Sequence, residues 1–170
     1  IPGNANVKVP EDAALTIPEN VVVENNGSVE VDGDLNLEGT LKTEATWKDG
    51  TTDFYGDFRE AMDAVTAEDS NVTDVTILGD VELEEDVAIP EGTNVTIKEG
   101  ANLTVPDGKA IENNGSITNN GTLTNNGTIS NNKEIINEGL LEGDGSVANG
   151  ESSRIETNDG IINNKITDGD

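Results

Sequence analysis

Cysteine and histidine are both missing from the 170 residues, which excludes disulfides, thiolate metal sites and imidazole-bound zinc. Aromatic residues are scarce at 2%, and basic residues number 9 against 35 acids, a net charge of −26. A surface of that sign repels phosphate backbones and anionic lipid, so neither nucleic acid nor membrane surface is an expected partner. No apolar run approaches membrane-spanning length, so no membrane insertion is expected either. The opening IPGNANVKVP lacks the basic and apolar regions of a signal peptide. Apolar residues make up 32%, too few bulky centres for a broad globular core but enough for a thin aliphatic one. High net charge at low hydrophobicity also describes disordered chains. Periodicity decides between the two.

Residues 7–42 align without a gap on residues 95–130, at a constant offset of 88, with 15 identities in 36 positions. Val9/Ile97, Val23/Ile111 and Val29/Ile117 exchange one β-branched aliphatic for another. The chain is internally duplicated. Inside the second copy runs a finer period, in which Ile111, Ile117, Leu123, Ile129, Ile135, Leu141 and Val147 stand six apart. Thr and Ser around them favour extended backbone. The intervening Asn-Asn-Gly supplies residues that tolerate positive φ and so turn the chain. Each hexad reads as a three-residue strand and a corner.

A lone hexad cannot stand. One buried Ile contributes about 1.5–3 kcal/mol, whereas ordering six residues costs roughly 6–12 kcal/mol of backbone entropy. Asn-Gly hairpins would leave long free edges. Coiling instead lets every strand bond to the turns on either side while its aliphatic joins a continuous stack. Grouped in threes, one face carries Val75, Val95, Ile117, Ile135 and Ile155, and the second Val81, Leu103, Leu123, Leu141 and Ile161. The third carries Val87, Ile111, Ile129, Val147 and Ile166. The fold class expected is therefore all-β, a three-sided parallel β-helix with turns of 18 to 24 residues. Unequal turn lengths favour a right-handed coil, and the strict hexads keep a left-handed one open. Asn113 would stack on Asn131 and Asn114 on Asn132, forming amide ladders.

Residues 43–72 interrupt this pattern. Phe54, Phe58, Ala61, Met62 and Val65 follow helical spacing, and Asp57 with Glu60 three residues on makes a capping box. The expected helix covers about 58–68. The three segments are thus 1–42, a first solenoid of about two turns; 43–72, a strand–loop–helix cap or insertion; and 73–170, a second solenoid of about five turns. All four aromatics, Trp47, Phe54, Tyr55 and Phe58, fall in the middle segment. Two readings follow: a plug over an open solenoid end, or an aromatic platform for a sugar or peptide built on Trp47 and Tyr55. The helix stripe needs a packing partner, which favours the plug. Trp47 also falls where the offset places Ile135, an inward position.

A Trp-bearing strand, then DGTTDFYGDFREAMDAV, then DVTILGDVELEEDVAIPEGTNVTIKEGANLTV and the NNGTLTNNGTI repeats, resembles the β-helical modules of large surface proteins of Gram-positive bacteria. The resemblance covers most of the chain but lies in repeat texture, not in an active-site signature. It implies an extracellular, cell-surface location, a stalk or adhesin-like role without catalysis, and a host or cell-wall glycan or protein as partner. No LPxTG-type anchor stretch occurs in the sequence.

Catalytic, metal and binding motifs give little. Parallel β-helices include polysaccharide lyases and hydrolases, so a carbohydrate-binding or carbohydrate-processing module is the alternative. Glycoside chemistry needs two carboxylates at a set separation, and pairs such as Glu84–Glu85–Asp86 are expected by chance among 35 acids. A lyase would want an Arg or Lys base, and the only arginines are Arg59 and Arg154. No cofactor is expected, and weak calcium binding at acidic corners is the one ion the composition leaves open. Asp32, Asp34 and Asn36 echo an EF-hand opening, but Leu37 holds the glycine position and Thr43 the closing glutamate position. That stretch reads better as a corner and a strand Leu35–Leu37. Ser116-Ile-Thr118, Thr122-Leu-Thr124 and Thr128-Ile-Ser130 resemble the Thr-x-Thr steps of ice-binding solenoids, but this threading puts them on three different faces. The Asn-x-Ser/Thr sequons, such as Asn71, Asn94, Asn102 and Asn120, follow from turn chemistry.

Overall fold

A computed structural model describes residues 1–158 and 160–168. Asp159, Gly169 and Asp170, within the segment read as the second solenoid, lie outside them. The chain forms two compact units, Ile1–Gly79 and Asp80–Asp170, and the strand–loop–helix segment belongs to the first.

The second unit is a three-sided parallel β-solenoid. Its strands are β10 (Asp80–Glu82), β11 (Val87–Ile89), β12 (Asn94–Ile97), β13 (Asn102–Val105), β14 (Ala110–Asn113) and β15 (Ser116–Asn119). They continue as β16 (Thr122–Asn125), β17 (Thr128–Asn131), β18 (Glu134–Asn137), β19 (Leu140–Asn149), β20 (Arg154–Thr157) and β21 (Ile161–Asp168). Every third strand pairs in parallel up to β19, which spans two sides, so that β17 pairs with β19, β18 with β20 and β19 with β21. Val95, Ile117, Ile135 and Ile155 stand in register on one side. Val81, Leu103, Leu123 and Leu141 do so on the second, and Val87, Ile111, Ile129 and Val147 on the third. The aliphatics six apart, Ile111 through Val147, are all buried. Val75, expected at the head of the first column, lies in the first unit; from Val95, Val81 and Val87 on, the expected columns are present, with one correction at the end. Leu141 pairs with Ile162, not Ile161, and Ile161 is 58% exposed beside Leu140. Ile166 joins the third column opposite Val147.

That slip has a cause in β19, which serves both the second and third sides. Three residues, Gly143-Asp144-Gly145, stand opposite the single Asn164 of β21. Gly143 has φ +117° and occupies the place, 18 residues after Asn125, where an asparagine would continue the ladder. Asn164 fills the gap from the turn beyond. Its Nδ2 donates to the carbonyls of Asn125 and Gly143 (both 3.0 Å), and its Oδ1 accepts from Asn125 Nδ2 (3.1 Å).

The hexads differ from a three-residue strand and an Asn-Asn-Gly corner. Each strand has four residues and ends on the first asparagine, which points inward: Asn113, Asn119, Asn125, Asn131 and Asn137 are all buried. After Asn113, Asn119 and Asn125 the corner is the second asparagine and the glycine; after Asn131 it is Asn132-Lys133 and after Asn137 Glu138-Gly139. Nor is positive φ the reason for that glycine, since Gly115, Gly121, Gly127 and Gly139 do not adopt it. A Cβ there would stand well inside 3.0 Å of the preceding turn's carbonyl oxygens, such as Lys109 O at Gly127. At these four glycines close stacking of turns leaves no room for a side chain. Left-handed glycines occur elsewhere, at Gly92, Gly100 and Gly108.

The first unit opens with two solenoid turns: β1 (Asn6–Val9), β2 (Ala14–Ile17), β3 (Val22–Glu24), β4 (Ser28–Val31), β5 (Asp34–Leu37) and β6 (Thr40–Lys42). They pair in parallel as β1–β4, β2–β5 and β3–β6. The segment that follows departs from the expected strand–loop–helix. The stretch read as loop is a second strand, so that β7 (Ala45–Asp49) and β8 (Thr52–Gly56) form an antiparallel hairpin turning at Gly50, φ +60°. Helix α1 (Phe58–Thr66) and β9 (Asp74–Ile77) complete the unit. The helix ends two residues before the expected 68, and Asp57 caps it by accepting from Glu60 N–H at 2.7 Å.

Candidate functional site

The hairpin holds both proposed platform residues, and its pairing decides what they can do. β8 runs antiparallel to β4, β7 to β8, and β9 to β7. Three reversals leave β9 pointing opposite to β1 and β4. The register also splits the side chains. Tyr55 lies opposite Val29 and Thr46, on the face of the first coil's core, whereas Trp47 lies opposite Phe54 and Val75 on the other face.

Each aromatic is thereby committed to packing. Trp47 is 7% exposed and stacks on Phe54 with ring centroids 5.5 Å apart and planes 7° apart. The buried side of α1, made by Phe58, Ala61, Met62 and Val65, lies on the β7–β9 part of the sheet. Tyr55 is half-buried against Val9, Val29 and Val31. Burial first, then the Asp53 charge, raises its phenol above the usual value, while the bond to Thr46 lowers it. A sugar platform needs an open ring face, and Trp47 offers none. Glu60, on the same helix, is also raised, first by burial and then by Asp57 and Asp63.

Asn25 joins the coil to this segment. It is buried, and its Nδ2 donates to Tyr55 O at 3.0 Å, while Thr43 Oγ1 donates to Gly56 O at 2.9 Å. By the 88-residue offset Asn25 is the counterpart of Asn113, at the foot of a ladder in the second unit.

Those ladders are the second unit's main polar feature. Asn113 Nδ2 donates to Asn131 Oδ1 (2.8 Å), Asn131 to Asn149 (2.7 Å) and Asn119 to Asn137 (2.7 Å). The second amide hydrogens go to backbone carbonyls, as from Asn113 to Glu134 and from Asn119 to Leu140. On the outside Asn132 donates to Asn114 at 2.9 Å, so both expected stacks exist. Each inner ladder starts abruptly: the turn before Asn113, Asn119 and Asn125 presents Ile89, Ile97 and Val105, and the three Oδ1 atoms there accept nothing.

Outside the β11–β14–β17 side lies a shallow groove of ≈ 500 Å³, lined among others by Asp86, Ala88, Ala110, Glu112, Ser130 and Asn132. Both carboxylates are already engaged: Asp86 Oδ1 accepts from Ala110 N–H (2.9 Å) and Glu112 Oε1 from Asn114 Nδ2 (3.1 Å). The groove can receive a cationic or hydroxyl-rich group. Among the described residues no cluster of three or more acids could hold a metal ion, and no helix is long and apolar enough to cross a membrane. The Thr-x-Thr steps fall on separate sides, as β15, β16 and β17, and on the second side Thr104 and Thr124 are followed by Glu142.

No family model, curated protein or solved structure matches this chain.

Proposed function

We propose that the chain is a non-catalytic structural module of an extracellular bacterial surface protein, one that spaces or presents a neighbouring element. The observation that carries this reading is the continuity of the second unit: aliphatic columns on three sides with asparagine ladders beside them. Each turn is bonded to its neighbours on three sides, so detaching one breaks the pairing of three strands. The acidic surface and the resemblance to Gram-positive surface modules favour an exterior location. Pulling the full chain between its ends in a force spectrometer tests the mechanical role. Resistance at least equal to that of an immunoglobulin-type reference domain, with refolding on relaxation, is expected; featureless extension would overturn it.

A carbohydrate-binding module is the second reading, favoured by the groove at Asp86 and Glu112. Glycan-array screening of the intact chain separates the two. The structural reading expects silence, and a signal lost in Glu112→Gln would transfer the function to the groove.

A further inference from the structure

The duplication provides an internal control for burial. In the second unit Leu123 and Ile129 are buried under the next turn, supplied by β19. Their counterparts 88 residues earlier, Leu35 and Leu41, are only half-buried, and Leu37, counterpart of the buried Asn125, is 48% exposed. The difference lies in the edges. Among the described residues β5 pairs only with β2 and β6 only with β3, because the hairpin continues the first side alone.

The main chain at this edge is open as well. Asp34 and Glu38 donate their N–H groups to Ala13 and Ile17, Thr40 donates to Val21, and Lys42 O accepts from Asn25. Alternation along a strand therefore turns the N–H and C=O groups of Leu35, Leu37 and Leu41 toward the free edge. A row of open backbone groups beside the exposed Leu37 and the half-buried Leu35 and Leu41 is a template for another strand.

The geometry points to an interaction surface here: the β5–β6 edge of the first unit accepts an extended, basic strand of a partner protein that alternates apolar and cationic residues. The alternation follows from the pleat, since residues continuing the column over Leu35 and Leu37 must be apolar and those between them face out. Charge selects basic residues. The outward positions of β5 and its corner are Asp34, Asn36 and Glu38, with no cation among them, and Lys42 on β6 is held by Glu24 at 3.7 Å. A second copy of this chain is disfavoured as occupant, because two bodies of charge −26 repel. The inference is independent of the mechanical role proposed above.

Hydrogen exchange on the full chain tests it, using a hexapeptide of alternating valine and lysine, the same peptide with glutamate for lysine, and hexalysine. The valine–lysine peptide should slow exchange at Leu35, Leu37 and Leu41 about tenfold or more, and neither control should do so. Leu37→Asn, which installs the residue found at the duplicate position, should remove most of that slowing while leaving the fold intact. Four outcomes would overturn the proposal: no slowing, equal slowing by hexalysine, edge amides already protected in the free protein, or protection that grows with protein concentration alone. The third means that the chain covers its own edge, and the fourth that a second copy does.

Discussion

A buried asparagine is costly unless its amide is matched, and past the first asparagine of each column the ladders match it turn by turn. Asn131 is the clearest case, accepting from Asn113 and donating to Asn149 and to Arg154 O. Asn131→Ala would strand these partners in the interior at roughly 1–3 kcal/mol for each group left unsatisfied. A loss of about 2 kcal/mol or more in urea unfolding is expected, against less than about 0.5 kcal/mol for Asn132→Ala on the exposed ladder. The glycines divide by a different test. Gly127 lacks room for any side chain, so Gly127→Asn should cost about 2 kcal/mol or more through overpacking. Gly92 has φ +83° and nothing near its missing Cβ, so Gly92→Asn should cost less than about 1 kcal/mol, asparagine being at home in left-handed backbone. Equal losses at the two positions would show that conformation, not contact, selects the corner glycines. None of this was legible in the triplet Asn-Asn-Gly, which is also ordinary turn text. Its first asparagine was indistinguishable from its second until pairing showed which one ends the strand facing inward.

At the scale of the element, helix α1 sits on a conflict. Glu60 lies in its first turn, where the helix dipole favours a negative charge, yet burial and the neighbouring Asp57 and Asp63 raise its carboxyl above the ordinary 4.5. The direction of the shift says that burial and repulsion win. A raised acid binds its proton more tightly folded than unfolded. Its stabilising contribution is complete below the unfolded pKa and is lost as pH rises through the folded value. Glu60→Gln should therefore raise the melting temperature at pH 7 and leave it unchanged near pH 3, checked by calorimetry across that range. Equal melting temperatures at pH 7 would remove the conflict. The helix itself was readable from its apolar spacing and cap. The hairpin before it was not: Thr52–Gly56 carries strand-forming aromatics, but it overlaps the helical spacing from Phe54, and only pairing with β4 and β7 separates the two.

For the whole molecule, charge and the two cores set the expectations. A body of net charge −26 repels itself, and added salt screens that repulsion. The melting temperature should rise between low and moderate salt, and a fall would mean that the Lys8–Glu30 and Arg154–Glu134 pairs outweigh the repulsion. Ile117 stands between Val95 and Ile135 in the second unit. Ile117→Asp should erase slow hydrogen exchange across β12 to β19 while Ala45–Ile77 retains its own. Parallel loss in both units would show a single cooperative core.

The sequence alone determined the periodic part of this protein: three strands to a turn, which aliphatics share a column, and that asparagines stack. These are short-range repeats, and a period of six needs only neighbouring turns to interpret it. Tertiary structure decided where the period breaks. Gly143-Asp144-Gly145 shifts the register against β21 by two residues and leaves Ile161 exposed, because Asn164 must reach Asn125 across the gap. The hairpin reverses strand direction in the first unit through three successive antiparallel pairings, and its register, which sets Trp47 against Phe54 and Tyr55 against Val29, puts Trp47 on the face opposite Val29. Direction and facing are properties of pairing, and pairing is a relation between distant segments that no single segment spells out.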